Sequence, residues 1–137
     1  MKNKKSSRSH LMVRIQLKAQ HKEQKNKRSS WMNLIDLAGS EAFDASSSYQ
    51  RQQESKHINK SLLCLRNVIQ AINGKKTNVP YRTSTLTKLL EPCLAGDAKM
   101  LMIVNIAPFQ DCYKESLRSL EFASVVNKCD GSANYRK

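Results

Sequence analysis

Glycine is scarce in this sequence, with four residues in 137. None falls in the spacing G-x-x-x-x-G-K-[ST], so the chain lacks the loop whose amides and lysine cradle nucleotide phosphates. Acidic residues are also few, 11 against 24 Lys and Arg, for a formal charge of +13. Such a surplus favours a polyanionic partner, whether nucleic acid, anionic lipid or acidic protein tails, and charge alone does not choose among them. No apolar run approaches the roughly 20 residues that span a bilayer as a helix, and we expect a soluble protein. Cys64, Cys93, Cys112 and Cys129 are scattered, without a C-x-x-C pair or a signal peptide. We read them as reduced cytosolic thiols and expect neither zinc nor a disulfide framework. There is no internal repeat.

What is present suffices for one domain, since 39% of the residues are apolar and the length suits a single core. Leu11, Val13, Ile15 and Leu17 alternate with Met12, Arg14 and Gln16, the period of two expected of a strand with one more polar face. Polar residues run from Gln20 to Ser30, and a second short apolar segment, Trp31 to Ile35, ends at Asp36. The pair reads as neighbouring strands joined by a long, lysine-rich hairpin loop.

Ala42 to Gln53 has no period and reads as a loop. Ile58, Leu62, Leu65, Val68, Ile69 and Ile72 recur at helical steps until Gly74, which predicts a helix with a glycine stop. After Pro80, Ser84 could cap a short helix carrying Leu86, Leu89 and Leu90, which Pro92 and Gly96 would interrupt. Met100 to Ile106 is apolar on both sides, as in a strand covered on both faces. Leu117, Leu120, Phe122, Ala123 and Val126 mark a last helix. The order strand, strand, helix, helix, strand, helix predicts an α/β layered domain.

Two constellations carry chemistry. Asp36-Leu37-Ala38-Gly39 is an Asp-x-x-Gly at a strand end, where a carboxylate can hold the water shell of Mg²⁺ and a glycine backbone can approach a terminal phosphate. The arrangement is also common as a plain turn. Asn3-Lys4-Lys5-Ser6-Ser7-Arg8-Ser9-His10 precedes the first strand, with hydroxyls suited to Mg²⁺ or phosphate oxygens and an arginine suited to a carboxylate. Finding both one hairpin apart is poorly explained by chance.

Together with H-I-N-K-S-L and V-P-Y-R further on, S-S-R-S-H and L-I-D-L-A-G-S-E resemble the motifs of the kinesin motor domain, in the family's order and over nearly the whole chain. L-L-E-P-C-L-A-G, N-I-A-P-F-Q-D-C-Y-K-E-S-L and F-A-S-V-V-N-K-C resemble most closely the minus-end-directed, C-terminal-motor class of the non-claret disjunctional type. The resemblance implies residues 1–137 of a partial α/β motor domain of P-loop NTPase type, its C-terminal part, with helices on both faces of an incomplete central sheet. It further implies switch I at 3–10, switch II at 36–41, a tubulin-facing helix at about 56–73 and a last helix at about 114–128, with the phosphate-loop half absent.

The resemblance also assigns roles. Ser6 and Ser7 would meet the nucleotide, Ser7 coordinating Mg²⁺; Asp36 would hold a Mg²⁺-bound water, and the Gly39 amide would sense the γ-phosphate of ATP. Arg8 and Glu41 would form the bridge that closes the two switches, an order-disorder device read by the following helix. Lys56, Lys60, Arg82 and Lys88 would face acidic tubulin. The implied setting is cytoplasmic, on microtubules or the spindle, with any dimer formed through a coiled coil outside this sequence.

Two departures from the family pattern bear on affinity. Arg82-Thr83-Ser84-Thr85-Leu86-Thr87 stands where the family has R-[DN]-S-[KR]-[LM]-T, so a basic residue is lost at Thr85. The loop after Glu41 reads A-F-D-A-S-S-S-Y-Q-R-Q-Q without the usual Gly and Lys residues. Both should weaken filament binding, with Arg51 and the basic N-terminal region offsetting part. The family is a microtubule-stimulated ATPase, yet without the phosphate loop this chain alone is expected to be inactive. A nucleotide-independent microtubule-binding protein is the alternative. Nucleic-acid binding is supported only by the N-terminal charge run, with no aromatic-interleaved platform beside it.

Overall fold

The computed structural model describes residues 8–20, 27–39, 48–96 and 98–129. The chain divides into two compact units, Met1–Gly39 and Ser40–Lys137, rather than building one core.

The first unit is an antiparallel hairpin of β1 (Leu11–Gln20) and β2 (Lys27–Asp36). Leu11 pairs with Asp36, Val13 with Leu34, Ile15 with Met32 and Gln16 with Trp31. Because paired residues share a face, Leu11, Val13, Ile15, Leu17, Met32 and Leu34 form an apolar side. Arg14, Gln16, Lys18, Ser29 and Trp31 lie on the other. The ladder continues three residues beyond Leu17 and begins four before Trp31, so Lys27–Ser30 is strand rather than loop. Its polar side chains remain in solvent, and cross-strand contacts support the extension: Gln16 Nε2 donates to Ser29 Oγ at 3.2 Å, and the Arg14 guanidinium lies 4.2 Å from the Trp31 ring centre.

In the second unit, α1 (Tyr49–Asn73) begins about two turns before the expected start near Lys56. Tyr49 to Gln53, expected as loop, is helical because Gln and Arg favour helix and no Gly or Pro intervenes; residues 42–47 of that loop lie outside the described residues. The helix ends at Gly74, but Gly74 has φ −79°, and the left-handed position falls on Lys75 at φ 49°. Lys76 N–H donates to Ala71 C=O at 3.0 Å and Lys75 N–H to Ile72 C=O at 2.9 Å, the paired bonds of a Schellman ending. The residue that needs glycine's freedom is therefore the lysine after it.

A 3₁₀ turn, Tyr81–Thr83, leads into α2 (Thr85–Leu94). Ser84 caps it in a capping box with Thr87. Pro92 does not stop this helix, which runs two residues further. A proline so near the C-terminus removes only one amide bond, and Ala95 N–H still reaches Glu91 C=O at 2.8 Å. A second 3₁₀ turn, Gln110–Cys112, precedes α3 (Tyr113–Asn127).

The core of this unit is the apolar stripe of α1, Leu65, Val68, Ile69 and Ala71, packed with Leu86, Leu90 and Leu94 of α2 and Val126 of α3. Asn73 Nδ2 ties the end of α1 to Val125 C=O of α3 at 2.8 Å.

The expected strand at Met100–Ile106 is not formed. The only sheet among the described residues is β1–β2, and Leu101 and Ile103 are 86% and 77% exposed. A strand buried on both faces needs neighbours on both edges for its amides, and none is laddered to this segment.

Candidate functional site

The register of the hairpin decides where the two chemical motifs meet. Because Leu11 opposes Asp36, the segment preceding β1 and the turn following β2 emerge from the same end of the ladder. Asp36 is the last residue of β2 and its side chain is exposed. Ala38, two residues on, is only 4% exposed, and its amide donates to His10 Nδ1 at 3.0 Å. His10 is partly buried, and the burial pushes its pKa below the ordinary value. Gly39 follows directly and is partly buried, as is Arg8 on the opposite segment. Ser6, Ser7 and Glu41 lie outside the described residues, and with them the proposed Arg8–Glu41 bridge.

The donor set fits a hydrated magnesium ion better than a protein cage. Among the described residues no three of His, Cys, Asp and Glu come together, and the Asp36 carboxylate is exposed. Magnesium keeps several waters and takes one or two carboxylates beside phosphate oxygens, a role that an exposed strand-end Asp can fill.

The four candidate basic residues of the second unit are exposed. Lys56 and Lys60 are exposed one turn apart on α1, Arg82 on the 3₁₀ turn and Lys88 on α2. Cys64, one turn beyond Lys60, reaches Thr83 C=O with its thiol at 3.8 Å, so the turn carrying Arg82 rests against the lysine side of α1. Leu63 and Leu89 are exposed in the same elements, at 57% and 53%.

Thr87 fixes that turn to α2. It is fully buried, and its hydroxyl donates to Tyr81 C=O at 2.7 Å while accepting from Ser84 N–H at 3.1 Å. Its own amide donates to Ser84 Oγ at 3.1 Å. Burial, then the Glu91 carboxylate, then Cys129 push the Tyr81 phenol above its ordinary value. The sequence places His10 in the 3–10 segment without a role of its own and gives Thr87 none. His10 stood at the end of a polar run, and a threonine on a short amphipathic helix gives no sign of its burial.

Comparison with known proteins decides the family. The family model "Kinesin motor domain" matches residues 1–129. This chain belongs to the kinesin motor domain family. It is 47% identical over 127 residues to the protein claret segregational of Drosophila melanogaster, a match covering 93% of this chain and 18% of that protein. It is 47% identical over 128 residues to carboxy-terminal kinesin 2 of Xenopus laevis, covering 93% of this chain and 20% of that one. Among solved structures, the motor domain of the Kar3-like kinesin from Ashbya gossypii matches with a TM-score of 0.78 at 41% identity, over 90% of this chain and 41% of that chain. The Kar3 motor domain of Saccharomyces cerevisiae matches with a TM-score of 0.79 at 44% identity, over 91% of this chain and 39% of that one. This kinesin chain thus has part of the motor-domain fold and resembles the C-terminal kinesins. It spans about a fifth of the length of its curated relatives.

Proposed function

We propose that this chain forms the nucleotide-sensing and tubulin-docking portion of an ATP-driven microtubule motor. The observation that carries the reading is the Leu11–Asp36 register, by which residues 8–10 and the Asp-x-x-Gly turn leave the same end of the hairpin. Residues 3–10 are then switch I and 36–41 switch II. Bound Mg²⁺ with ATP would supply charge neutralisation at the phosphate oxygens. Ser6 and Ser7 would meet it, Ser7 as a direct ligand and Asp36 through a water. The Gly39 amide would hydrogen-bond the terminal phosphate, and Arg8 would pair with Glu41 when the switches close. No G-x-x-x-x-G-K-[ST] loop is present in the sequence, so the phosphate cradle must come from elsewhere in a working motor.

Lys56, Lys60, Arg82 and Lys88 would dock on the acidic filament, with the relatives being named kinesins in support. Dimerisation through a coiled coil is supported by analogy with a Kar3Vik1 motor pair fused to a synthetic heterodimeric coiled coil. Microtubule co-sedimentation of the full chain over a salt series tests the docking surface. Binding should fall with salt, because exposed charges are screened over about 8–10 Å at ordinary ionic strength. It should also fall when Arg82 and Lys88 are both replaced by Ala. Pelleting unchanged by either treatment would overturn the surface, and preferential binding of duplex DNA would replace the reading.

A further inference from the structure

Ala38 N–H lies just past the end of the β1–β2 ladder in a buried position, 4% exposed. A backbone amide can only donate, so the ring atom 3.0 Å from it, His10 Nδ1, must carry a lone pair and no proton. The imidazole is then neutral with its proton on Nε2. No ladder bond reaches this amide, and the side chain that does comes from the opposite segment, 28 residues away.

We propose that His10 is a positioning residue that couples the Arg8 segment to the Asp36–Gly39 turn by accepting the Ala38 amide on unprotonated Nδ1. The inference rests on the motor reading for its functional meaning, because those two segments are the proposed switches. Gly39 is the next residue after Ala38, so fixing the Leu37–Ala38 peptide plane fixes where the chain enters Gly39. A shift of the Arg8 segment is thereby passed to the phosphate-sensing amide without passing through the ladder. Burial, which disfavours the imidazolium, works in the same direction. The charged groups nearest in sequence among the described residues are Arg8, two before His10, and Asp36, two before Ala38.

The geometry makes a substitution series diagnostic. Asn places an acceptor oxygen where Nδ1 stands, Gln places one where Nε2 stands, and Ala has none. In the full chain labelled with ¹⁵N, the His10 ring should show a bare Nδ1 and a protonated Nε2, with a through-bond coupling to the Ala38 amide. Exchange of the Ala38 amide should quicken about five- to tenfold in His10→Ala and His10→Gln, the range of one net hydrogen bond, and return to within about twofold of the parent in His10→Asn. Amides of the ladder itself should be unchanged in all three. A protonated Nδ1, or equal exchange in the Asn and Gln variants, overturns the proposal. If the variants lose the hairpin, the ring-nitrogen measurement on the unaltered chain decides alone. Filament pelleting separates the two claims, since the motor reading can fail there while the exchange series still holds, and the reverse.

Discussion

Replacing Thr87 by Val keeps shape and volume but removes the hydroxyl that joins the Arg82 turn to α2. Thr87 is 0% exposed, and the added Val methyl would fill the place of the hydroxyl. The change strands Tyr81 C=O, now bonded at 2.7 Å, and Ser84 N–H, now bonded at 3.1 Å. A buried polar group left without its partner costs about 1–3 kcal/mol. Both stranded groups belong to partly buried residues, which places each near the lower end, for a loss of about 2–3 kcal/mol. Thr87→Ser retains the hydroxyl and removes one buried methyl, for a loss of about 1 kcal/mol. The expected order, Ser milder than Val, is the reverse of what an ordinary apolar core position gives. Urea titration followed by helical circular dichroism, with α1 and α2 as reporters, measures both variants, and amide exchange at Thr83 and Ser84 localises the damage. Microtubule pelleting should weaken more in Thr87→Val than in Thr87→Ser, because the turn carrying Arg82 loses its tie to α2. A Val variant as stable as the Ser variant would refute the reasoning.

Lys75 occupies the left-handed end position of α1, which costs a non-glycine residue roughly 1 kcal/mol; Lys75→Gly should therefore raise stability by about that amount in the same urea titration, while Gly74→Ala, whose Cβ would meet Gln70 C=O at 3.3 Å, should not. Tyr81 should ionise above the ordinary tyrosine value by phenolate absorbance, and Glu91→Gln should bring it down. Since its folded value is raised, the stability this contributes is fully present below about pH 10 and lost as pH rises through the folded value; Tyr81→Phe should remove that dependence. The chain alone should show no microtubule-stimulated ATPase, measured by phosphate release against a Ser7 and Asp36 double-substituted control. In a motor with the phosphate loop supplied upstream, Asp36→Ala should abolish turnover. Amides of β1 and β2 should exchange faster than those of α1 around Val68, because a two-stranded hairpin is marginal by itself. Uniform protection across both units, or one two-state melt, would contradict this.

The exposures make the same point from the folded side. Val13, Ile15, Leu17, Met32 and Leu34 are each 40% or more exposed on one side of the hairpin, as are Leu101 and Ile103 in the unladdered segment. These residues were legible as strand material because alternation and β-branching are written locally. Whether the backbone becomes a strand depends on a partner edge. Trp31–Ile35 has one in Leu11–Leu17, and Met100–Ile106 has none among the described residues.

Sequence alone therefore determined the family, through motifs whose order and spacing are specific, and the stripe of α1, because a 3.6-residue period needs only one face to be buried. Lys56, Lys60, Arg82 and Lys88 stay in solvent, since a lone lysine or arginine is costly to bury. Tertiary structure decided the rest. The reach of β1 and β2 past their apolar stretches depends on cross-strand bonds, and the start of α1 at Tyr49 on helix propagating through polar residues. The left-handed turn fell on Lys75 because the helix's terminal carbonyls are met by the amides of Lys75 and Lys76. His10 became a structural pivot only once folding had brought the buried Ala38 amide opposite it, a pairing across 28 residues that no local pattern encodes, whereas the burial of Thr87 came from packing around a local capping box.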